Sequence, residues 1–439
     1  MLLAFSVTNF RCFAEESSLD LTRSTLKTLK PGPDSSWSDS TWRVAAIYGA
    51  NASGKSTLLD AITRLHHAVG NERDLLHQPY LFDAESRLAP TLYTVDFVHE
   101  DQRFQYSVEA RPWGISREEL WAAGPRWRKL FVRTQAEKDA QPTIDAGPSL
   151  RGATSEVRRI TTGKDLFLAV ALRYNHETLA PIARSLRAVR AIHHSDEERW
   201  ARLRWLMSRL ADKPEWWSDL GDAIAHAADL GIARIELEEQ EVPPEVLAEI
   251  RRVAATLSED EDIEIPDKVL QTMQRSLVFH HHGSDGKEHR LTLGAQSQGT
   301  LTWLATVGPA LEALHEGRVL LVDELDASLH PTLTAALVEM FKDETLNRTG
   351  AQIVFTTHDT SLLDNSPVQL LDSGEVWLCE KNDDGTSELF SLADFTSTRK
   401  GTNKQRRYLV GAFGAIPRVD TTAIRRALAS DRDHVPEAS

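Results

Sequence analysis

Apolar and polar residues alternate from Leu3 to Val7 in the opening text MLLAFSVTNFRCF, which is the period of a half-buried strand. The stretch Pro31–Ser40 is rich in Pro, Ser and Asp and predicts a loop. Beyond it, RVAAIYGANASGKSTLLDAITRLHHAV gives a short apolar run, a glycine-bounded loop and a helix. In that helix Leu58, Ile62, Leu65 and Val69 recur at helical spacing. TLYTVDFVHEDQRFQYSVEA predicts two strands around the polar turn His99–Arg103.

The character changes between about 110 and 275. This region holds seven of the eleven tryptophans and several amphipathic helical stretches, such as Arg199–Asp212, and it is broken by Pro214, Pro243, Pro244 and Pro266. It shows neither an internal repeat nor a heptad pattern long enough for a coiled-coil arm. LVFHHHGSDGKEHRLTL then predicts a hairpin with Gly283–Gly286 at its turn. A helix, the apolar strand RVLLVDEL, a helix after Pro331 and a second apolar strand, AQIVFTTHD, follow. Apolar strands alternating with helices predict an α/β unit with a largely parallel sheet, split into two halves that flank a mainly helical insertion.

Composition narrows the class. The 439 residues are enough for a sizeable core, and 41% apolar with 26% charged residues is ordinary for a globular protein. A net charge of −15 argues against a nucleic-acid footprint over the whole surface, though a local basic site remains open. Cys12 and Cys379 are too few for a disulfide framework or a cysteine-based zinc site. With no signal peptide and no apolar run of membrane-spanning length, the expectation is a soluble cytoplasmic protein.

GANASGKS, Gly49 to Ser56, matches the phosphate-binding pattern G-x-x-x-x-G-K-[ST]. Successive backbone N–H groups of such a loop wrap phosphates, and the next helix points its positive end at them. Gly49 and Gly54 permit close approach, Lys55 places charge on the outer phosphates, and Ser56 is a magnesium ligand. With Asn51, Ser53 and Thr57 these residues form the expected nucleotide site, with Mg2+ at its phosphates.

RVLLVDE supplies a partner. The apolar run Val319 to Val322 predicts a buried strand that delivers Asp323 and Glu324 at its end. Asp323 suits magnesium, and Glu324 suits the orientation or deprotonation of an attacking water. IVFTTHD is a further strand, ending in His358. It follows the Asp–Glu strand by one helix, so its end is expected beside the same phosphates, where His358 hydrogen-bonds the γ-phosphate.

Together these pieces resemble the ABC-type ATPase head of the SMC, RecF and OLD lineage, over roughly residues 1–110 and 280–417. The resemblance makes Gly49–Ser56 the Walker A loop, Val319–Glu324 the Walker B strand, His358 the switch histidine and Leu325–Pro331 the D-loop. QSQGT, Gln296–Thr300, falls at the signature motif: Ser297 and Gly299 keep its pattern, while Gln298 stands where a glycine is usual. Of the glutamines that would approach magnesium, Gln78 is one candidate, with Gln102 and Gln105 as alternatives. The chain further resembles compact bacterial ATP-binding proteins linked to abortive infection and phage defence. NFRCF at Asn9–Phe13, Ala52 where SMC heads usually have glycine, DELDASLHP, and the tail YLVGAFGAIP at Tyr408–Pro417 carry that likeness.

The resemblance implies an ATP-hydrolysing homodimer in which Ser297 and Gly299 cap the γ-phosphate bound by the other subunit. It also implies a sensor or regulatory role in an antiphage system, acting on a separate toxin or nuclease. The expected division is 1–110 and 279–395 for the two halves of the ATPase head, 111–278 for the helical insertion, and 396–439 for a basic segment and tail. A RecF-like DNA-binding protein of repair is the alternative. Arg399–Arg407 has five basic residues and no acid, so it is the local candidate for DNA, RNA or an acidic partner, with a solvated linker as the plain reading. His280 and His282 share one strand face without a third ligand nearby, which favours surface histidines over zinc. The acidic runs SEDEDIEIPD and EEQEVPPEVLAEI read as solvated faces or loops. Only about 80 residues follow His358, too few for an appended Toprim-type nuclease.

Overall fold

Two sheets carry the motifs in the computed structural model of the chain. It describes residues 1–70, 76–193, 195–212, 231–239, 245–249, 274–366, 368–395, 403–417 and 420–422, together with 224, 252 and 425. The acidic run 258–267, the four insertion prolines, and Arg399 and Lys400 lie outside the described residues.

The first sheet is antiparallel. It contains β1 (Leu2–Thr8), β2 (Ser17–Asp20), β4 (Thr91–His99), β5 (Gln102–Arg111), β6 (Gly114–Ala122), β7 (Arg128–Thr134) and β8 (Thr143–Ala146), in the order β2-β1-β4-β5-β6-β7-β8. The alternation read from Leu3 to Val7 is real: Leu3, Phe5 and Val7 are buried. The turn between β4 and β5 places Glu100 and Asp101 at φ 48° and 59°, the double left-handed conformation of a two-residue hairpin turn.

The second sheet is the core. β3 (Val44–Tyr48), β9 (Val189–Ile192), β13 (Val319–Val322), β14 (Gln352–Thr356), β15 (Val376–Lys381) and β16 (Ser387–Ser391) take the order β16-β15-β3-β14-β13-β9. All pair in parallel except the β15–β16 hairpin. β3, β13 and β14 are buried at every position, as parallel strands covered on both faces must be. β14 lies between β3 and β13, so the ends of these three strands share one edge of the core.

Helices cover both sheets: α1 (Lys55–Val69), α2 (Ala84–Leu88), α3 (Thr154–Ile160), α4 (Phe167–Arg173), α5 (Leu179–Leu186), α6 (Asp196–Asp212), α7 (Gln298–Glu316), α8 (Pro331–Lys342) and α9 (Lys404–Leu409). β10 (Ile232–Glu239), β11 (Arg275–His282) and β12 (Glu288–Thr292) form a small antiparallel sheet that leads into α7. The hairpin expected around Gly283–Gly286 is its β11–β12 half. Among the described residues, no helix is long and apolar enough to cross a membrane.

The structure differs from the sequence reading at residue 111. The chain does not leave the α/β unit there: β6, β7 and β8 continue the antiparallel sheet, and β9 pairs with β13 inside the core. Charged residues in β6 hide its alternation. Glu118 is fully buried, accepting from Tyr106 Oη at 2.8 Å and from the Phe167 and Leu168 N–H groups at 2.6 and 2.9 Å. It thereby sits at the start of α4, where a carboxylate satisfies open helix donors. Desolvation raises its pKa, and Arg133 opposes the rise.

Candidate nucleotide site

β3 ends at Tyr48 and the chain turns into the glycine loop. A Cβ at Gly49 would lie 2.3 Å from the Cys379 carbonyl oxygen of β15, so no side chain fits there. Gly54, at φ 115°, has Cys12 Sγ and the Phe13 ring against it. NFRCF is thus a plug beside the loop. Phe10 and Phe13 are fully buried, Asn9 holds the Tyr80 N–H and the Ser86 carbonyl, and Cys12 O accepts from Ser387 N at 2.8 Å. Ala52 occupies the left-handed region at φ 61°, a conformation that costs a non-glycine residue about 1 kcal/mol.

Lys55 is buried at the start of α1, and its Nζ donates to the Gly49 and Ala50 carbonyls at 2.9 and 3.0 Å. Burial lowers its pKa, while Cys379, Asp323, Glu324 and Asp326 pull it back up. Ser56 is exposed and donates to Asp323 Oδ1 at 2.9 Å. The same oxygen accepts from Thr356 Oγ1 at 2.7 Å, and that hydroxyl accepts from Glu324 N at 2.7 Å. Thr356 therefore joins the end of β14 to both acids. Glu324 itself is exposed, in the left-handed region at φ 53°. Asn51 is exposed, Thr57 is partly buried, and Ser53 is buried with its Oγ unpartnered among the described residues.

One hydroxyl and one carboxylate facing open space suit magnesium, which keeps several waters and shares phosphate oxygens instead of needing a protein cage. Among the described residues no group of three or more His, Cys, Asp or Glu side chains could hold a metal by itself. His280 is buried against Glu236 at 2.9 Å and Glu288 at 3.5 Å.

The turn that carries His358 has its own support. Asp326 accepts from Thr357 Oγ1 at 2.7 Å and from His358 N at 3.2 Å, leaving the His358 side chain exposed. Tyr48 Oη donates to the Asp359 carbonyl at 3.1 Å, and Tyr408 packs edge-on against Tyr48 at 5.7 Å. Gln405 reaches Thr360, and Asn403 reaches Asp364. The tail therefore buttresses the turn that carries His358. Lys404 is buried in this contact, donating to the Leu371 carbonyl at 2.6 Å, and the Arg407 guanidinium lies 5.1 Å from the Phe413 ring. The basic run read at Arg399–Arg407 loses Lys404 as a surface charge.

Of the three glutamines, Gln102 bonds the Ala123 carbonyl and Gln105 bonds Asp96, both within the antiparallel sheet. Gln78 accepts from Arg11 Nε at 2.7 Å, and Arg11 pairs with Asp60 of α1 at 2.8 Å. Sequence reading missed Arg11, Thr356 and Asp326. Their signals were present as NFRCF, the double threonine before His358 and the second aspartate of DELD.

Ser297 is the N-cap of α7: its Oγ accepts from Thr300 N at 3.1 Å. Ser297 and Gln298 are exposed, and a Cβ at Gly299 would approach the Ser328 carbonyl of the D-loop to 3.3 Å. Among the described residues no hydrogen bond joins Ser297 to residues 49–56.

The profile of the family described as "AAA domain, putative AbiEii toxin, Type IV TA system" matches residues 44–364, well over half of the chain. The chain belongs to this family. Its span runs from β3 through the turn that carries His358, and so takes in the glycine loop and both acids at the end of β13. Among solved structures, the SMC head domain from Thermotoga maritima aligns with 89% of this AAA-domain chain and 98% of its own, at 12% identity and a TM-score of 0.38. No match is found among curated proteins.

Proposed function

We propose that the chain binds and hydrolyses ATP as a homodimer, each active site being completed by the signature turn of the other subunit. The observation that carries this is the exposed Ser297 cap at the start of α7, unbonded to its own loop among the described residues, in a chain that also brings Ser56 and Asp323 together and holds Lys55 and Glu324. A hydroxyl, a glycine and a helix N-terminus suit the γ-phosphate of a nucleotide held by another copy.

In this reading Lys55 exchanges its two carbonyl contacts for phosphate oxygens. Ser56 and Asp323 would hold Mg2+, which when bound would supply charge neutralisation at the phosphates. Glu324 orients the attacking water and accepts its proton, and His358 bonds the γ-phosphate. Thr356 and Asp326 hold these two groups in place from behind. The role is that of a regulator in a bacterial abortive-infection or toxin–antitoxin system, controlling a toxin or nuclease partner in the cytoplasm. The family description supports that setting.

The test is Glu324→Gln, with solution mass measured with and without ATP. ATP-dependent dimerisation, or tightening of an existing dimer, is the expected result. A Glu324→Gln protein that stays monomeric with ATP, together with a wild type that hydrolyses ATP at a specific rate independent of its concentration, would overturn the reading.

A further inference from the structure

β9 is an outer strand of the core sheet, and a polar cavity of about 540 Å³ lies between it and α1. Among the described residues seven basic side chains line it: three from α1 (Arg64, His66 and His67), Arg187 and Arg190 before and within β9, His193 just after it, and Arg318 just before β13. Two carboxylates, Asp60 and Glu198, also line it, and both are already engaged. Asp60 pairs with Arg11 and Arg64 at 2.8 Å each. Glu198 accepts from His193 N at 3.2 Å and from Arg202 at 3.4 Å.

The positive charge here is undercompensated. Arg318 pairs with Glu316 and Arg190 approaches Glu312 only to 4.0 Å, while Arg187 makes no ion pair among the described residues. His66 is pushed down to about 4, by burial first and then by His67 and Arg187, and its Nδ1 is buried without a hydrogen-bond partner. Arg318 likewise opposes the charge on Arg190. In a chain of net charge −15, such a concentration of basic side chains is a local construction and not a reflection of composition.

We infer that this cavity binds a phosphate-bearing anion of nucleotide size, at a second site distinct from the glycine loop. None of residues 49–56 lines the cavity. Its volume falls in the range of small-ligand sites, and guanidinium groups, several of which line it, are side chains suited to phosphate oxygens. An anion there also supplies a counter-charge to Arg187, and a closer one to Arg190 than Glu312 gives at 4.0 Å.

The experiment uses the full chain carrying Lys55→Ala, which disables the glycine loop, and titrates inorganic pyrophosphate by calorimetry. Pyrophosphate should bind this protein, and adding Arg187→Gln and Arg318→Gln together should weaken binding by about tenfold per lost charged hydrogen bond. Arg187 packs against Gly70 at the end of α1, so Arg318→Gln alone serves as the second variant and should still lose about tenfold. Failure of the Lys55→Ala protein to bind pyrophosphate, or equal binding by the arginine variants, would overturn the inference. A single-stranded oligonucleotide that competes with pyrophosphate and shows the same arginine dependence identifies the phosphate as a nucleic-acid backbone. Pyrophosphate binding with no oligonucleotide competition identifies a free nucleotide.

Discussion

Ser56 and Asp323 lie 267 positions apart in the chain, yet Ser56 Oγ donates to Asp323 Oδ1 at 2.9 Å. The pair juxtaposes a hydroxyl and a carboxylate before any ligand arrives. Asp323→Asn keeps the size and one acceptor oxygen but removes the charge that a divalent cation needs. Magnesium-dependent ATP affinity should therefore fall by about tenfold or more, since a charged contact is replaced by a neutral one. Nucleotide binding in the presence of a chelator should change little. Equal losses with and without magnesium would point to a general disturbance of the loop.

His66 sits in the last turn of α1, at the other end of the helix from the glycine loop, and its pKa is depressed from 6.5 to about 4. Burial is the main cause, followed by the positive charge of His67 and Arg187. As pH falls below 6.5 the unfolded chain takes up a proton at this position while the folded chain does not. Stability therefore declines between pH 6.5 and 4, and this contribution is complete above that window. His66→Gln should flatten the decline in the denaturation midpoint from neutral to mildly acidic pH. Parallel curves for the two proteins would remove His66 as its origin.

Periodicity and spacing revealed the parallel core because its strands carry short apolar runs that end in chemistry. Val319–Val322 is buried throughout and delivers Asp323; β14 is buried throughout and leads to His358. What escaped was carried by residues whose partners are remote. Glu118 and Arg133 look like surface charge until folding places Tyr106 and the α4 N-terminus around them. β9 is only four residues long, and its register comes from β13, more than a hundred residues later. Thr356 reads as ordinary strand text because its hydroxyl acquires meaning only between Asp323 and Glu324.

The tail offers a separate test of how a basic run should be read. Lys404 is buried, bonds the Leu371 carbonyl, and has its pKa lowered by burial while Asp372 and Glu375 raise it. Lys404→Glu places a third carboxylate in that neighbourhood, where the Lys342 ammonium already serves Asp372 and Glu375. A cost of about 3 kcal/mol or more is expected, and with it slackening of the Tyr408–Tyr48 contact behind His358. Arg406→Glu, on the exposed side of α9, should be nearly neutral in stability. Urea midpoints of the two variants check this, and equal midpoints would return Lys404 to the surface.

The shared-site reading makes a stronger demand on Ser297. Replacing it by alanine would confuse two effects, because its Oγ also caps α7. Ser297→Asp separates them: aspartate caps a helix about as well as serine, yet its carboxylate repels a γ-phosphate. The variant should therefore fold with a midpoint near that of the parent and lose ATP hydrolysis. Lys55→Ala should be inactive for the opposite reason, through loss of its own loop. In a head-to-tail dimer of one Ser297→Asp and one Lys55→Ala subunit, one site collects both defects and the other collects neither. Mixing the two inactive proteins should consequently restore activity, to roughly a quarter of the parent rate if subunits exchange at random. Activity that stays absent after verified subunit exchange would show that Ser297 serves the site of its own chain, or none.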